Sequence, residues 1–295
     1  MMLTQKSATG SALYAPWESA FSLEAMRRAW LSVRANRGTS GTDGQTVKQF
    51  EKSLDRQLEA LRGELLNLTY RPHRVTQVLV PKNSGGWRPL SLWAVRDRVA
   101  QRAVYNYLEP VFETRFLPCS YGFRPGRSTK DAADAIQEAR RAGAEWVLDA
   151  DIKDCFGQMK NGRLLQRLHR WQVPKPIVEL INRWLHARVW NAWMGSRHAG
   201  TSQGGALSPL LCNLYLHPFD QTMQKPDLWL VRYADDLVVL SRGKAGIQYA
   251  RQRAVFTLHR MGLSFHPQKT RLTTFSEGFQ FVGWFFVRDE CYQLK

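Results

Sequence analysis

Leu230-Val231-Arg232-Tyr233-Ala234-Asp235-Asp236-Leu237-Val238-Val239-Leu240 is an apolar run broken at its centre by two adjacent carboxylates. Val, Leu and Tyr on both sides of a short polar break read as two strands joined by a tight turn, with Asp235 and Asp236 at its tip. Adjacent anions held on an ordered hairpin repel, so the pair makes physical sense where a cation or a basic group stands in front of it. Asp is also a common turn residue, and a plain polar turn is the competing reading. The choice between them turns on whether the chain supplies another acid, a phosphate cradle and a nucleic-acid surface.

Another acid stands in Trp146-Val147-Leu148-Asp149-Ala150-Asp151-Ile152-Lys153-Asp154-Cys155-Phe156. As a strand, this stretch puts Val147, Asp149 and Asp151 on one face and Trp146, Leu148 and Ala150 on the other. A carboxylate on a buried strand costs several kcal/mol unless it is paired, protonated or metal-bound, so Asp151 calls for a partner, with Asp149 and Asp154 as competing acids.

The nucleic-acid surface is argued from charge. Lys and Arg number 42 against 25 Asp and Glu, a formal +17 on 295 residues, which points to a polyanionic partner. The 44% hydrophobic content supports a buried core. No stretch approaches the roughly 18 apolar residues of a spanning helix, and the first ten residues carry neither a signal nor an anchor pattern, so no membrane partner and a cytoplasmic location are expected. Cys119, Cys155, Cys212 and Cys291 stand singly, without metal-ligand or disulfide spacing, and read as buried small hydrophobes.

Helical periodicity is expected over 17–33, 50–65, 97–112, 131–142, 164–171, 177–187 and 248–261. Between these lie loops of a particular composition. Residues 36–44 hold three glycines among hydrogen-bond donors, a plain loop or a close approach to phosphate. Residues 75–90 read as a strand, a glycine turn and a second strand, with Lys82 and Arg88 at its shoulders, either an exposed solubilising hairpin or a clamp on a triphosphate. Ser120-Tyr121-Gly122-Phe123-Arg124-Pro125-Gly126-Arg127-Ser128-Thr129 mixes aromatics, arginines and glycines as single-strand binders do, and Ser128 or Thr129 also suits a helix cap. Gly204 and Gly205 allow backbone to lie against a ligand, which makes Gln203 a candidate nucleotide contact. Lys269 is placed to face a leaving phosphate, and residues 279–286 form an aromatic strand or hairpin.

Taken together, Gly41-Thr42-Asp43-Gly44, Gly86-Trp87-Arg88-Pro89-Leu90, Tyr121-Gly122-Phe123-Arg124-Pro125-Gly126-Arg127-Ser128, Asp149-Ala150-Asp151-Ile152-Lys153, Ser202-Gln203-Gly204-Gly205, Tyr233-Ala234-Asp235-Asp236 and Phe281-Val282-Gly283 resemble, in this order, a reverse transcriptase of the bacterial group II intron-like class. The resemblance implies an α+β right-hand polymerase: a helical N-terminal extension over 1–35, fingers over 36–145, and a palm over 146–295 built on an antiparallel sheet and interrupted by a finger-like helical segment at about 160–200. It implies RNA-directed DNA synthesis on an RNA template and a DNA or RNA primer from dNTPs. Asp151, Asp235 and Asp236 would hold two Mg²⁺ ions, with Mn²⁺ as a substitute. Arg88 and Lys82 would hold the triphosphate, Gln203 would contact the nucleotide, and Phe156 would exclude a 2′-hydroxyl. Lys269 would protonate the pyrophosphate. Tyr121, Phe123, Arg124 and Arg127 would bind nucleic acid, as would Gly283 and Trp284 of the primer grip.

The chain departs from the family's pattern at Gly157, where Asp is usual, at Ser202, where Pro is common, and at Ser91-Leu92-Trp93, where Gly-Ile-Pro is usual. It ends soon after the primer-grip residues, so the helical thumb is expected to be missing, lost by truncation or supplied by a protein or RNA partner. The alternatives are a non-catalytic, maturase-like RNA-binding protein and a template-independent or protein-primed nucleotidyltransferase. Intron mobility, spacer acquisition from RNA and phage defence are all open as settings.

Overall fold

A computed structural model describes residues 14–81, 86–190, 197–198 and 204–294. The chain begins with a 3-10 turn, Trp17–Phe21, followed by α1 (Leu23–Ala35). The single helix expected over 17–33 is divided at Ser22, whose hydroxyl accepts from the Ala25 N–H at 3.2 Å and starts the new helix. The helix expected over 50–65 is likewise two: α2 (Val47–Glu51), opened by a capping box between Thr46 and Gln49, and α3 (Leu54–Leu66).

The first sheet then starts with β1 (Val75–Pro81) and β2 (Trp87–Leu92), and the chain continues through α4 (Val95–Glu113) and α5 (Thr129–Arg141). Ser128 caps α5 in a second box with Asp131. β3 (Trp146–Asp151), α6 (Cys155–Gln158), α7 (Asn161–Arg170) and α8 (Lys175–Leu185) follow. The short strands β4 (Arg188–Trp190) and β5 (Arg197–His198) return to the first sheet, where β4 runs parallel to β1 and the strand order is β2-β1-β4-β5. The remaining elements are α9 (Ser208–Met223), β6 (Leu228–Tyr233), β7 (Asp236–Ser241), α10 (Lys244–Met261), β8 (Arg271–Thr274), β9 (Phe279–Phe281), β10 (Trp284–Val287) and β11 (Glu290–Gln293).

The central sheet has the order β6-β7-β3-β8 and is antiparallel throughout. Its two faces close different cores. Leu148, Ala150, Leu237 and Val239 join the larger core with residues of α4, α8, α9 and α10. Val147, Val231, Val238 and Leu240 pack on the other side against α5 and the phenylalanines of β9 and β10. The alternation expected for β3 is therefore observed, and Asp149 and Asp151 share the face of Val147. Within the larger core, Cys155 and Cys212 are buried with their sulfurs 3.9 Å apart, whereas Cys119 and Cys291 are only partly buried.

A fully buried ion pair, Arg232 with Asp220, lies in this interior. Arg232, on β6, is fully buried and donates all five of its N–H groups. Nε and Nη2 reach the two Asp220 oxygens at 2.7 Å each, and Nη2 also reaches Ser120 Oγ at 2.7 Å. Nη1 reaches Asn213 Oδ1 at 3.0 Å and the Ala234 carbonyl at 2.9 Å. Burial alone would lower the pKa of this guanidinium, but the adjacent Asp220 carboxylate outweighs it and raises it. Asp220→Ala strands a buried cation and is expected to cost about 3–5 kcal/mol of stability, read by urea denaturation. Asp220→Leu combined with Arg232→Met is expected to recover most of that loss.

Candidate active site

β6 and β7 meet in a two-residue turn. Tyr233 and Asp236 are already paired across the ladder, so the tip is Ala234 and Asp235 alone. Asp236, expected at the tip, is instead the first residue of β7 and stands directly opposite Asp151 on β3. Residues directly opposite in a ladder share a face, so Tyr233, Asp236 and Asp151 form one row across three strands. Asp235 is tied to the same place by its carbonyl, which accepts from the Ile152 N–H at 3.1 Å.

The turn leaves no freedom to separate these acids. Ala234 sits at φ +60°, and its carbonyl is held by Arg232. Gly122 lies against the same turn: a Cβ placed there would meet the Ala234 nitrogen at 2.4 Å and the Tyr233 carbonyl carbon at 2.9 Å. The Gly122 carbonyl accepts from Asn213 Nδ2 at 2.9 Å, and the Tyr121 N–H donates to the Arg232 carbonyl at 2.8 Å. The loop after α4 thus covers the edge of β6 and clamps the hairpin.

Proximity shows in the acids' electrostatics. Burial raises the Asp235 pKa, with Asp151 adding to the effect. Asp236 is pushed up to about 7, by burial first, then by the charges of Asp235 and Asp151 and a carboxyl hydrogen bond to Asp151. Lys269 is the compensating cation, its Nζ 2.8 Å from Asp151 Oδ2. It is delivered by residues 264–269, which are sewn to the end of β3: Lys153 N–H donates to the Ser264 carbonyl at 2.9 Å and His266 N–H to the Asp151 carbonyl at 2.8 Å. Of the competing acids, Asp149 is paired with Arg271 at 3.2 Å. Asp154 begins α6 in the left-handed region, at φ +41°.

Among the described residues, no three His, Cys, Asp or Glu side chains are already drawn around one point as metal ligands. The donor set nonetheless suits a hard divalent cation: carboxylate oxygens from three residues, held together by backbone, with the Asp236 carboxyl pushed up to about 7 by burial first and by its neighbours' charges second, costs that such an ion would offset.

The other expected site residues fall into four groups. Phe156, on α6, is partly buried against the larger core, and Arg88 is exposed on β2. Phe123 is exposed in the left-handed region at φ +62°, Tyr121 is partly buried with the Arg127 guanidinium over its ring, and Gly283 with Val282 makes the tight turn into Trp284. Arg124, expected to hold phosphate, is 7% exposed; it donates to Glu113 Oε2 and to the carbonyls of Leu117 and Ser120, and so shapes its loop. Lys82 and Gln203 lie outside the described residues.

One departure and one matched glycine in the motifs have physical counterparts. A side chain at Gly157 would run into the Asp154 carboxylate, with its Cβ 2.2 Å from Oδ2. A Cβ at Gly204 would meet the Ser91 carbonyl oxygen at 2.3 Å, so the loop before α9 is packed directly on the end of β2. The residue that sequence reasoning passed over is Arg232. Its signal was a charged residue in an otherwise apolar strand, which requires a buried partner.

The family model for reverse transcriptases (RNA-dependent DNA polymerases) matches residues 80–286. Protein YkfC of Escherichia coli (strain K12) is 29% identical over 292 residues, covering 85% of this chain and 76% of that protein. Group II intron-encoded protein LtrA of Lactococcus lactis subsp. cremoris is 32% identical over 195 residues, covering 65% of this chain. This chain spans only 32% of the LtrA length. In fold, it resembles apo telomerase from Candida tropicalis, with a TM-score of 0.59 at 15% identity over 75% of this chain and 55% of that one.

Gly122→Ala is expected to overpack the hairpin and destabilise by about 1–3 kcal/mol. Gly126→Ala, at φ +68° with open space around it, should cost only about 1 kcal/mol of backbone strain. Denaturant midpoints of the two variants check the difference.

Proposed function

The chain belongs to the reverse transcriptase family, and from that premise we propose that it is an RNA-directed DNA polymerase that adds dNTPs to a primer 3′-hydroxyl. One observation carries the reading: Asp151 and Asp236 face each other across the central sheet with Asp235 in the turn beside them and Lys269 on Asp151. A structural role for three clustered acids would be destabilising without purpose, whereas a polymerase needs them together.

Asp151, Asp235 and Asp236 are the residues that would hold two Mg²⁺ ions. When bound, such ions lower the pKa of the attacking hydroxyl and stabilise charge on the attacking and leaving oxygens. The chain's own part is positional. Arg232 and Gly122 fix the turn, so the carboxylates need no reorganisation when substrate arrives. Lys269 neutralises Asp151, which raises the ammonium pKa and keeps it charged at neutral pH, in the form able to give a proton to departing pyrophosphate. Phe156, braced by the core, is the wall against which the sugar packs, and a 2′-hydroxyl is what it would exclude. Arg88 meets the triphosphate as a fork from β2.

Asp151→Asn and Asp235→Asn are each expected to abolish Mg²⁺-dependent extension of an oligo(dT) primer on poly(rA), while the affinity for RNA stays within about twofold of the parent. Extension that survives either change would sink the assignment. Phe156→Val is expected to raise incorporation of ribonucleotides relative to deoxyribonucleotides by a factor on the order of 10–100, measured in single-nucleotide addition.

A further inference from the structure

Away from the carboxylates, an open cavity of about 470 Å³ lies where the chain enters β1 and leaves α8. Arg71, Arg74, Arg183 and Arg188 line it together with His186 and Pro72, and among the described residues no acidic residue does. Among the described residues, none of these four arginines forms an ion pair, although ion pairs are common elsewhere in the molecule.

The cluster is built rather than incidental. Arg183 Nη1 donates to the carbonyls of Leu68 and Tyr70, 2.8 Å each, and so anchors the segment that carries Arg71. Asp97 holds the same segment from the other side, accepting from the Tyr70 hydroxyl at 2.6 Å and from the His73 N–H at 3.0 Å. The Arg74 carbonyl accepts from Thr42 Oγ1 at 2.7 Å, and Arg188 is fixed by its place on β4. Arg71, Arg74 and Arg188 are exposed. Like charges gathered without counter-charges raise each other's energy, and a polyanion relieves that cost.

The lining also selects the kind of polyanion. Guanidinium forks match phosphate oxygens in bidentate geometry. Among the described residues, the wall offers no carboxylate for a metal ion and no Phe, Tyr or Trp on which a base would stack. We propose that this cavity is a second nucleic-acid site, which holds successive phosphates of a single RNA strand by its backbone, without reading sequence. Arg71, Arg74 and Arg188 make the contacts, and Arg183 positions them. The site uses none of the carboxylates, nor the expected nucleotide contacts, and it gives an RNA-templated enzyme a grip at the end of β1 remote from the β1–β2 turn.

The test is the salt dependence of affinity for a fluorescent 25-nucleotide RNA, followed by anisotropy. The inference rests on reading the chain as an RNA binder. With no dNTP or divalent metal present, loss of polymerase activity and loss of this site are separate results. Replacing Arg71, Arg74 and Arg188 together by Gln, with Arg183 left in place, is expected to lower the slope of log K against log salt by about 2, at roughly 0.7 per phosphate contact on a single strand. A control that removes the same charge at Lys52, Arg56 and Arg141, all exposed and outside the cavity, is expected to lower it by less than half as much. Equal losses in the two variants, or no loss in the first, overturn the proposal. So does retention of tripolyphosphate or of a polyglutamate peptide that depends on the three arginines while the RNA slope does not. Should the triple variant melt early, Arg71→Gln and Arg188→Gln singly carry the same test, each expected to remove about 0.7 from the slope.

Discussion

A guanidinium sealed from water is tolerated only when every N–H finds an acceptor, and Arg232 meets that condition by drawing α9, the loop 119–122 and the hairpin turn to one point. Its partners come from three parts of the chain, Asn213 and Asp220 on α9, Ser120 in the loop and Ala234 in the turn, so the turn cannot shift without breaking contacts with the others. Gly122 adds the steric half of the same constraint, since its lack of a side chain lets the loop lie on the turn backbone.

Rigidity of the turn explains the electrostatics beside it. Three carboxylates on a flexible loop would move apart; here Asp235 and Asp236 are held against Asp151 by ladder and turn, where burial, and then the neighbouring charges, raise the Asp236 pKa and Lys269 pairs with Asp151. The stability of the fold and the readiness of the site for cations therefore come from one arrangement.

Much of this was legible in the residues. Alternation along β3 placed Asp149 and Asp151 on one face, because successive side chains of any strand point to opposite faces, and the apolar flanks of the Asp pair marked the hairpin. The finer register was not legible. Whether a two-residue turn holds Asp235 with Ala234 or with Asp236 depends on which residue tolerates positive φ, and Ala234 gives no hint that it does. Arg124 and Arg127 carry the same composition signal, yet Arg124 is buried on Glu113 and two carbonyls while Arg127, only partly buried, donates to the Pro118 carbonyl and lies on Tyr121; composition cannot rank them. Helix ends at Ser22 and Ser53 were missed because apolar spacing continues across them.

The two cores separated by the central sheet have a further meaning for how such a chain changes over time. Residues of α5, β9 and β10 pack only on one face, and those of α8, α9 and α10 only on the other, with β3 and β7 between them. Either layer is thus free to drift, to accept insertions or to acquire new surfaces with its packing errors confined to its own side. The acids, carried on the strands of the partition itself, keep their spacing through both histories.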